Sequence, residues 1–386
     1  ALARLEKHFA ATVPGTIASR LAGVCAAKAG RAKQGEDFSV RCARDRETLG
    51  WLDGAVEGWR QAYQLALRQR AFPRAVEYLG TVVRIHGQRG SRGGEADTRY
   101  ELASLQTHVG QLKGALANFQ DALAYWEETD DQDGIGVAWN GIGTVRVKQG
   151  RFARALKAFE KSYRIWKEMG NASREAAGLA NMGLMHMKLG KYTEAASQLE
   201  ASMQMRKSLG EEAGVAQSLM NLGLVRQQLG DKQGALDAYR ESGMVYEKLG
   251  HKPGLAQCIN NIGTIQVELG DYDGAAVSFE RAIALKEELG ERADLLTSLN
   301  NLADVHNKRG RSADALPILD RAIALADELG MREQRAIILR TRGVVLLELD
   351  KPSEAEAHFK ESVELFERLR SMRWTVRALT SLALAQ

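Results

Sequence analysis

A period of forty residues governs this chain. One turn is marked by Gly110, Gly150, Gly190, Gly230, Gly270 and Gly310, with Asp350 in the same column. Five residues on stands an alanine each time, from Ala75 and Ala115 through Ala275 to Ala355. Four later comes a large apolar residue: Leu79, Phe119, Phe159, Leu199, Tyr239, Phe279, Leu319, Phe359. Another glycine column precedes the turn by seven residues, at Gly143, Gly183, Gly223, Gly263 and Gly343, with Ala103 and Ala303 substituting. A period of 20–50 residues held over seven or eight units means a solenoid, in which each unit buries its apolar face against the next. That overrides the two or three domains that 386 residues would otherwise suggest.

Each unit reads as two helices. Glu175–Leu189 carries Ala176, Leu179, Ala180, Gly183 and Met187 at three-four spacing, and Tyr192–Leu209 continues with Ala195, Ala196, Leu199 and Met203. Glycine just past each helix closes the end. A glycine within a helix costs roughly 1 kcal/mol relative to alanine. The Gly143 column therefore implies that two antiparallel helices approach too closely there for a side chain. Pro73 and Pro352 fall near helix starts, Pro253 in an interrepeat turn, and Pro317 inside a second helix, where a bend is expected. The fold class is all-α, with eight or nine hairpins and no strand.

These columns resemble the tetratricopeptide repeat, whose first helix carries W-x2-L-G-x2-Y and whose second carries A-x3-F-x2-A. Trp139-Asn140-Gly141-Ile142-Gly143 and Leu219-Met220-Asn221-Leu222-Gly223 match the first, and Ala275, Phe279 and Ala282 the second. The forty-residue form, with Asn260-Asn261-Ile262-Gly263 and Leu269-Gly270-Asp271-Tyr272, is similar to repeats of kinesin light chains and of the spindle-orientation adaptor with G-protein regulatory motifs. The resemblance implies a single right-handed superhelical solenoid: degenerate units over 1–50, regular repeats over 51–370, and the first helix of a further, truncated repeat over 371–386. Leu2–Phe9 reads as the tail of a second helix, and Thr16–Leu49 as a degenerate unit holding Gly23, Gly30, Gly35 and Cys42 in marker columns. Neither end shows a polar cap, so the chain reads as a piece of something longer. Leu379, Leu382 and Leu384 are expected to be exposed on the last helix and to favour self-association.

The same resemblance places the first helices on the concave side. One inward column then reads Gly141, Asn181, Asn221, Asn261, Asn301, Thr341. An asparagine amide donates and accepts together, which suits the backbone of an extended peptide; the competing reading is that each asparagine bonds its neighbour's helix. Around this ladder lie Gln217 and Gln257, then Leu184, Leu224, Thr264 and Asp304, then Lys148, Lys188 and Lys308. The early half is positive to neutral with an apolar centre, which fits an acidic-apolar partner segment, although solvated surface lysines explain it equally well.

Chemistry is sparse. The seven histidines form no metal-ligand pattern. His186 and His306 sit in the repeat's tyrosine column, as rim packing. Cys258 falls in a small-residue column and reads as a core thiol, as do Cys25 and Cys42. Three cysteines build no disulfide framework, and a reducing, cytoplasmic setting follows. Gly134-x-Gly136 and Gly141-x-Gly143 lack the preceding strand that a dinucleotide site needs. Gly87–Gly94, with Arg89 and Arg92 among glycines, reads as a flexible solvent-facing loop. A net charge of +4 demands neither nucleic acid nor membrane as a partner, and no apolar run is long enough to span a bilayer. The expected function is a protein- or peptide-binding scaffold, neither enzyme nor cofactor carrier. The alternative is a regulatory or sensory arm of a larger signalling protein or enzyme.

Overall fold

The computed structural model describes residues 32–385. Within them lie eighteen α-helices and no strand. The expectations for Leu2–Phe9, Pro14, Gly23, Cys25 and Gly30 fall outside the described residues, as does the side chain of Leu384. The chain divides into two compact units, one ending at Leu189 and one beginning at Gly190. The first holds α1 (Ala32–Thr48), α2 (Leu52–Arg68), α3 (Phe72–Gln88), α4 (Arg92–His108), α5 (Leu112–Glu128), α6 (Gln132–Lys148), α7 (Phe152–Glu168) and α8 (Ala172–Lys188). The second holds α9 (Tyr192–Ser208), α10 (Glu212–Gln228), α11 (Lys232–Lys248), α12 (Lys252–Leu269), α13 (Tyr272–Leu289), α14 (Arg292–Lys308), α15 (Ser312–Glu328), α16 (Arg332–Glu348), α17 (Pro352–Arg368) and α18 (Met372–Ala385). Even-numbered helices are the first helices of the repeat and odd-numbered ones the second.

The backbone repeats every twenty residues, half the sequence period. A left-handed residue closes a turn at each step from Gly50 to Arg370. After α6, the amide of Gly150 bonds the Val147 carbonyl at 2.8 Å and that of Arg151 bonds the Arg146 carbonyl at 2.9 Å. This is the paired bonding of a Schellman turn, which requires φ > 0 at its penultimate residue. Glycine supplies it at thirteen turns; Arg70, Asp130, Asp350 and Arg370 adopt it at φ 55–58° despite the steric cost of a β-carbon there. The forty-residue repeat thus consists of two seventeen- or eighteen-residue helices joined by three-residue turns or shorter ones.

The glycine columns are filled by rings from the second helices. A β-carbon at Gly143 would lie 2.5 Å from the Phe159 ring, at Gly223 2.6 Å from Tyr239, at Gly263 2.8 Å from Phe279 and at Gly343 2.5 Å from Phe359. Gly141 meets Phe119 of the preceding hairpin at 2.5 Å, so α6 is gripped by a ring on each side. A further column, Gly54, Gly94, Gly134, Gly214 and Gly254, is interrupted by Arg174, Asp294, Gln334 and Trp374, and only the packing explains it. Each receives the large side chain eight residues earlier: Arg46, His86, Trp126, Arg206 and Tyr246. Where this glycine is absent the pair changes chemistry. Lys286 Nζ donates to the Asp294 carbonyl at 3.1 Å, and Phe366 stacks on Trp374 at 5.9 Å.

Several expectations are corrected. Gly87–Gly94 is no loose loop: α3 runs to Gln88, Gly90 closes the turn, and α4 starts at Arg92. Its arginines are held, Arg89 by Asp53 and Arg92 by Glu128. Pro253 sits inside the first turn of α12 rather than in a connection, while Pro317 lies inside α15, a second helix, as expected. On α18, Leu379 is exposed as expected, together with Met372 and Val376, whereas Leu382 packs against the cluster around Phe359. Cys258 is fully buried and its thiol donates to Ser242 Oγ at 3.2 Å; burial pushes its pKa up.

Candidate functional site

Within each unit, polar bonds link several even-numbered helices to the next even-numbered one. Arg60 on α2 reaches Glu101 and Thr98 on α4 at 3.1 Å, and Asn181 on α8 donates to Asn140 Oδ1 on α6 at 3.0 Å. In the second unit Gln227 on α10 donates to Glu268 on α12 at 2.6 Å. Ser298 on α14 donates to Asn260 Oδ1 on α12 at 2.8 Å. The candidate residues lie on these helices, within one stripe of each helix, because their spacing returns to the same azimuth at 3.6 residues per turn.

The first unit carries Lys148 on α6 and Asn181, Leu184 and Lys188 on α8. Both lysines are exposed, and Leu184 is half-buried against the core of Phe159 and Met182. The second unit carries Gln217, Asn221 and Leu224 on α10, Gln257, Asn261 and Thr264 on α12, and Asn301, Asp304 and Lys308 on α14. The asparagines are not equivalent. Asn221 is 7% exposed, so this rung does not face solvent in the free chain. Asn261 and Asn301 are half-buried. Gln217 and Gln257 each donate back to the asparagine one turn later, at 3.4 and 3.1 Å. These bonds occupy Oδ1 of Asn221 and Asn261, and the Nδ2 of Asn261 is left with no partner. Thr264 Oγ1 donates to the Asn260 carbonyl at 3.1 Å. Asp304 and Lys308 pair with each other at 2.7 Å, so they largely cancel. Leu224 packs against Tyr239 and Ile265.

The adjoining column, one residue before the ladder, contributes polar groups that the ladder alone does not reveal. Asn260 is buried and ends a chain that runs from Lys286 Nζ through Ser298 Oγ. Burial lowers the Lys286 pKa, with Asp294 and Glu291 opposing. Asn300 Oδ1 and Arg340 Nε are buried without a partner. The Arg340 pKa is lowered by burial and then by Arg377, against Asp304. The signal for this column was the doubled asparagine of Asn260-Asn261 and Asn300-Asn301.

His86 is buried, and His306 and His358 are half-buried. Burial, and then nearby arginines, lower the pKa of His86, His306 and His358, and Nδ1 of His86 and His306 has no partner. Folding therefore excludes protons that the unfolded chain binds below about pH 6.5. Stability is complete above that value and falls as acid is added. Melting temperature should drop between pH 7.5 and 5.5, less steeply in His306→Leu; a flat profile would remove these imidazoles from the balance. Among the described residues, no group of three or more His, Cys, Asp or Glu side chains could hold a metal ion. No helix among the described residues is long and apolar enough to cross a membrane.

Tetratricopeptide repeat models match residues 94–168, 174–242, 294–368 and 256–289. The chain belongs to the tetratricopeptide repeat family. No curated protein gives a significant match. Among solved structures, the chain is similar to BtubC (BKLC) from P. vanneervenii, at 22% identity over 57% of this chain and 92% of that one, with a TM-score of 0.52. It is similar also to a signal transduction ATPase with a tetratricopeptide repeat sensor from Pyrococcus horikoshii, at 14% identity over 86% of this chain and 49% of that one (TM-score 0.63). A Rap protein complexed with Competence and Sporulation Factor matches at 15% identity over 96% and 98% of the two chains (TM-score 0.53). At these identities the likeness is one of fold. Tetratricopeptide repeats are interaction scaffolds, and this one is an all-α solenoid of paired antiparallel helices.

Proposed function

We propose that this chain is a scaffold that holds a protein or peptide segment against its even-numbered helices, with Asn261 and Asn301 as rungs that bond the segment's main chain. The observation that carries this reading is the Gln257–Asn261 pair. The glutamine fixes the asparagine's oxygen at 3.1 Å and leaves the buried Nδ2 with no partner, a donor that a segment's carbonyl would satisfy once the side chain turns outward. Its near-copy at Gln217–Asn221 argues for a repeated device rather than an accident of one rotamer. The Asn-Asn-x-Gly phrase extends the reading towards adaptors of the kinesin-light-chain type, in a reducing cytoplasmic setting. In the first unit, Lys148, Lys188 and Leu184 would take an acidic-apolar segment.

The test uses a segment selected from a peptide library on the wild-type chain. Asn261→Ala/Asn301→Ala should weaken its binding by roughly 1–3 kcal/mol per lost buried pair in calorimetric titration, with little change in melting temperature. Asn221→Ala should lower the melting temperature instead, because Asn221 is buried in the free chain. Unchanged affinity in the double variant rejects the ladder as a binding element.

A second reading is the sensory arm of a larger signalling protein. It is favoured by the likeness to the sensor-bearing ATPase, of which this chain covers 49%. Attached effector domains in the full-length gene product would decide for it.

A further inference from the structure

The repeat supplies its own control for surface charge. Packing dictates the inner columns of a second helix, but five columns face solvent, and those on α7 are Arg154, Lys157, Lys161, Arg164 and Lys167. All five are basic and exposed. No other described second helix has more than two basic residues in these columns; α17 has none, with Glu354, Ala357, Glu361, Glu364 and Glu367. Residues 146–167 carry eight Lys or Arg and one acid, Glu160, leaving 45 basic and 48 acidic residues in the rest of the chain. The whole basic excess of the chain therefore sits in one hairpin.

These cations are also unmatched. Most other second helices carry ion pairs to neighbouring repeats: Arg281 with Glu247, Arg321 with Glu287. Lys161 shares the column of Arg281 and has Glu127 at the same offset, yet its Nζ lies 3.7 Å over the Trp139 ring. Neither Glu160 nor Glu168, on α7 itself, makes an ion pair, and Arg151, Arg154, Lys157, Arg164 and Lys167 have no carboxylate within 4.0 Å. Like charges crowd at the start of the helix, where Arg151 and Arg154 add to burial in lowering the Arg146 pKa. Repulsion of this kind costs stability, and nothing in the repeat requires it.

We propose that the outer face of α7 is a docking surface for an acidic protein segment, separate from the even-numbered helices. Charge complementarity selects the partner's sign. Its class follows from what lies between the cations. The nearby rings, Trp139 and Tyr163, are half-buried beneath Lys161 and Lys167, which leaves no exposed ring to stack a base. The exposed face between the cations offers Ala153, too little apolar surface to enter a lipid interface.

The probe is a fluorescent sixteen-residue Glu/Ala peptide, read by anisotropy against the full chain. Wild type should bind it at low salt and release it as salt rises. Lys157→Gln/Lys161→Gln/Arg164→Gln should bind roughly tenfold or more weakly at an unchanged melting temperature. Lys113→Gln/Lys207→Gln, exposed on α5 and α9, should bind as wild type, which ties the binding to the cations of α7. A glutamate triple variant should lose binding altogether; if it melts early, the glutamine variant decides alone. Three outcomes overturn the proposal: no binding by wild type, equal binding by a folded glutamine variant, or tighter binding of an equally charged oligonucleotide or anionic vesicle.

Discussion

Gly143→Val should lower stability by about 3 kcal/mol, although valine is a better helix former than glycine. A β-carbon at this site meets the Phe159 ring at 2.5 Å. The ring cannot retreat, because Phe159 is itself 3% exposed and locked in the core with Met182 and Met185. The contrasting case is Gly80 on α3, where a β-carbon meets nothing within 4 Å. Gly80→Ala should therefore stabilise by about 0.5–1 kcal/mol, the ordinary helix-propensity gain. Urea unfolding can follow the emission of Trp126, Trp139 and Trp166, which flank the site on α5, α6 and α7. Shrinking the ring is the decisive control. Phe159→Leu alone leaves a void, but in combination with Gly143→Ala the two changes should couple favourably by more than ~1 kcal/mol. Additive effects would mean that the glycine column answers to something other than the ring opposite.

The Gly143 column could be read from the sequence because it violates helix propensity in phase with the repeat, and the violation demanded a close approach. The column at Gly54, Gly94 and Gly134 is broken by larger residues from Arg174 to Trp374, and its meaning needs the partner eight residues earlier, whose type varies from arginine to tryptophan. A pair that changes chemistry from unit to unit leaves no consensus residue to notice. The asparagine ladder was visible as a column, yet its burial was not. Whether Asn261 offers an oxygen or an amide depends on the rotamer of Gln257, which no spacing rule contains. Net charge misled in a different way. A value of +4 over the chain is an average in which acidic repeats hide one strongly basic hairpin, and only the register assigns those cations to one face.

Removing a single carboxylate near the start of the described chain should cost more than any surface change. Glu36 on α1 is fully buried and accepts from Gln69 Nε2 at 2.7 Å, Tyr78 Oη at 2.8 Å and the Arg74 guanidinium at 3.0 Å. These donors come from the end of α2 and from α3, so one side chain ties α1 to the next two helices. Glu36→Ala strands a buried phenol and a guanidinium, and should destabilise by about 3–5 kcal/mol. The loss should appear first as faster amide exchange in α1 and α2, since a repeat array opens locally. Glu36→Gln keeps the volume but not the charge, and should cost about 1–3 kcal/mol. The ion pair need not be the source of the stability it guards. The Arg74 side chain keeps 37% exposure, so the desolvation cost falls on the buried Glu36 carboxylate and amounts to several kcal/mol before any attraction is recovered. Glu36→Met/Arg74→Met/Tyr78→Phe, which removes the charges and the phenol hydroxyl together, should therefore fold nearly as well as wild type. If the triple variant is as unstable as Glu36→Ala, the carboxylate contributes net binding energy to the junction rather than merely satisfying the groups around it.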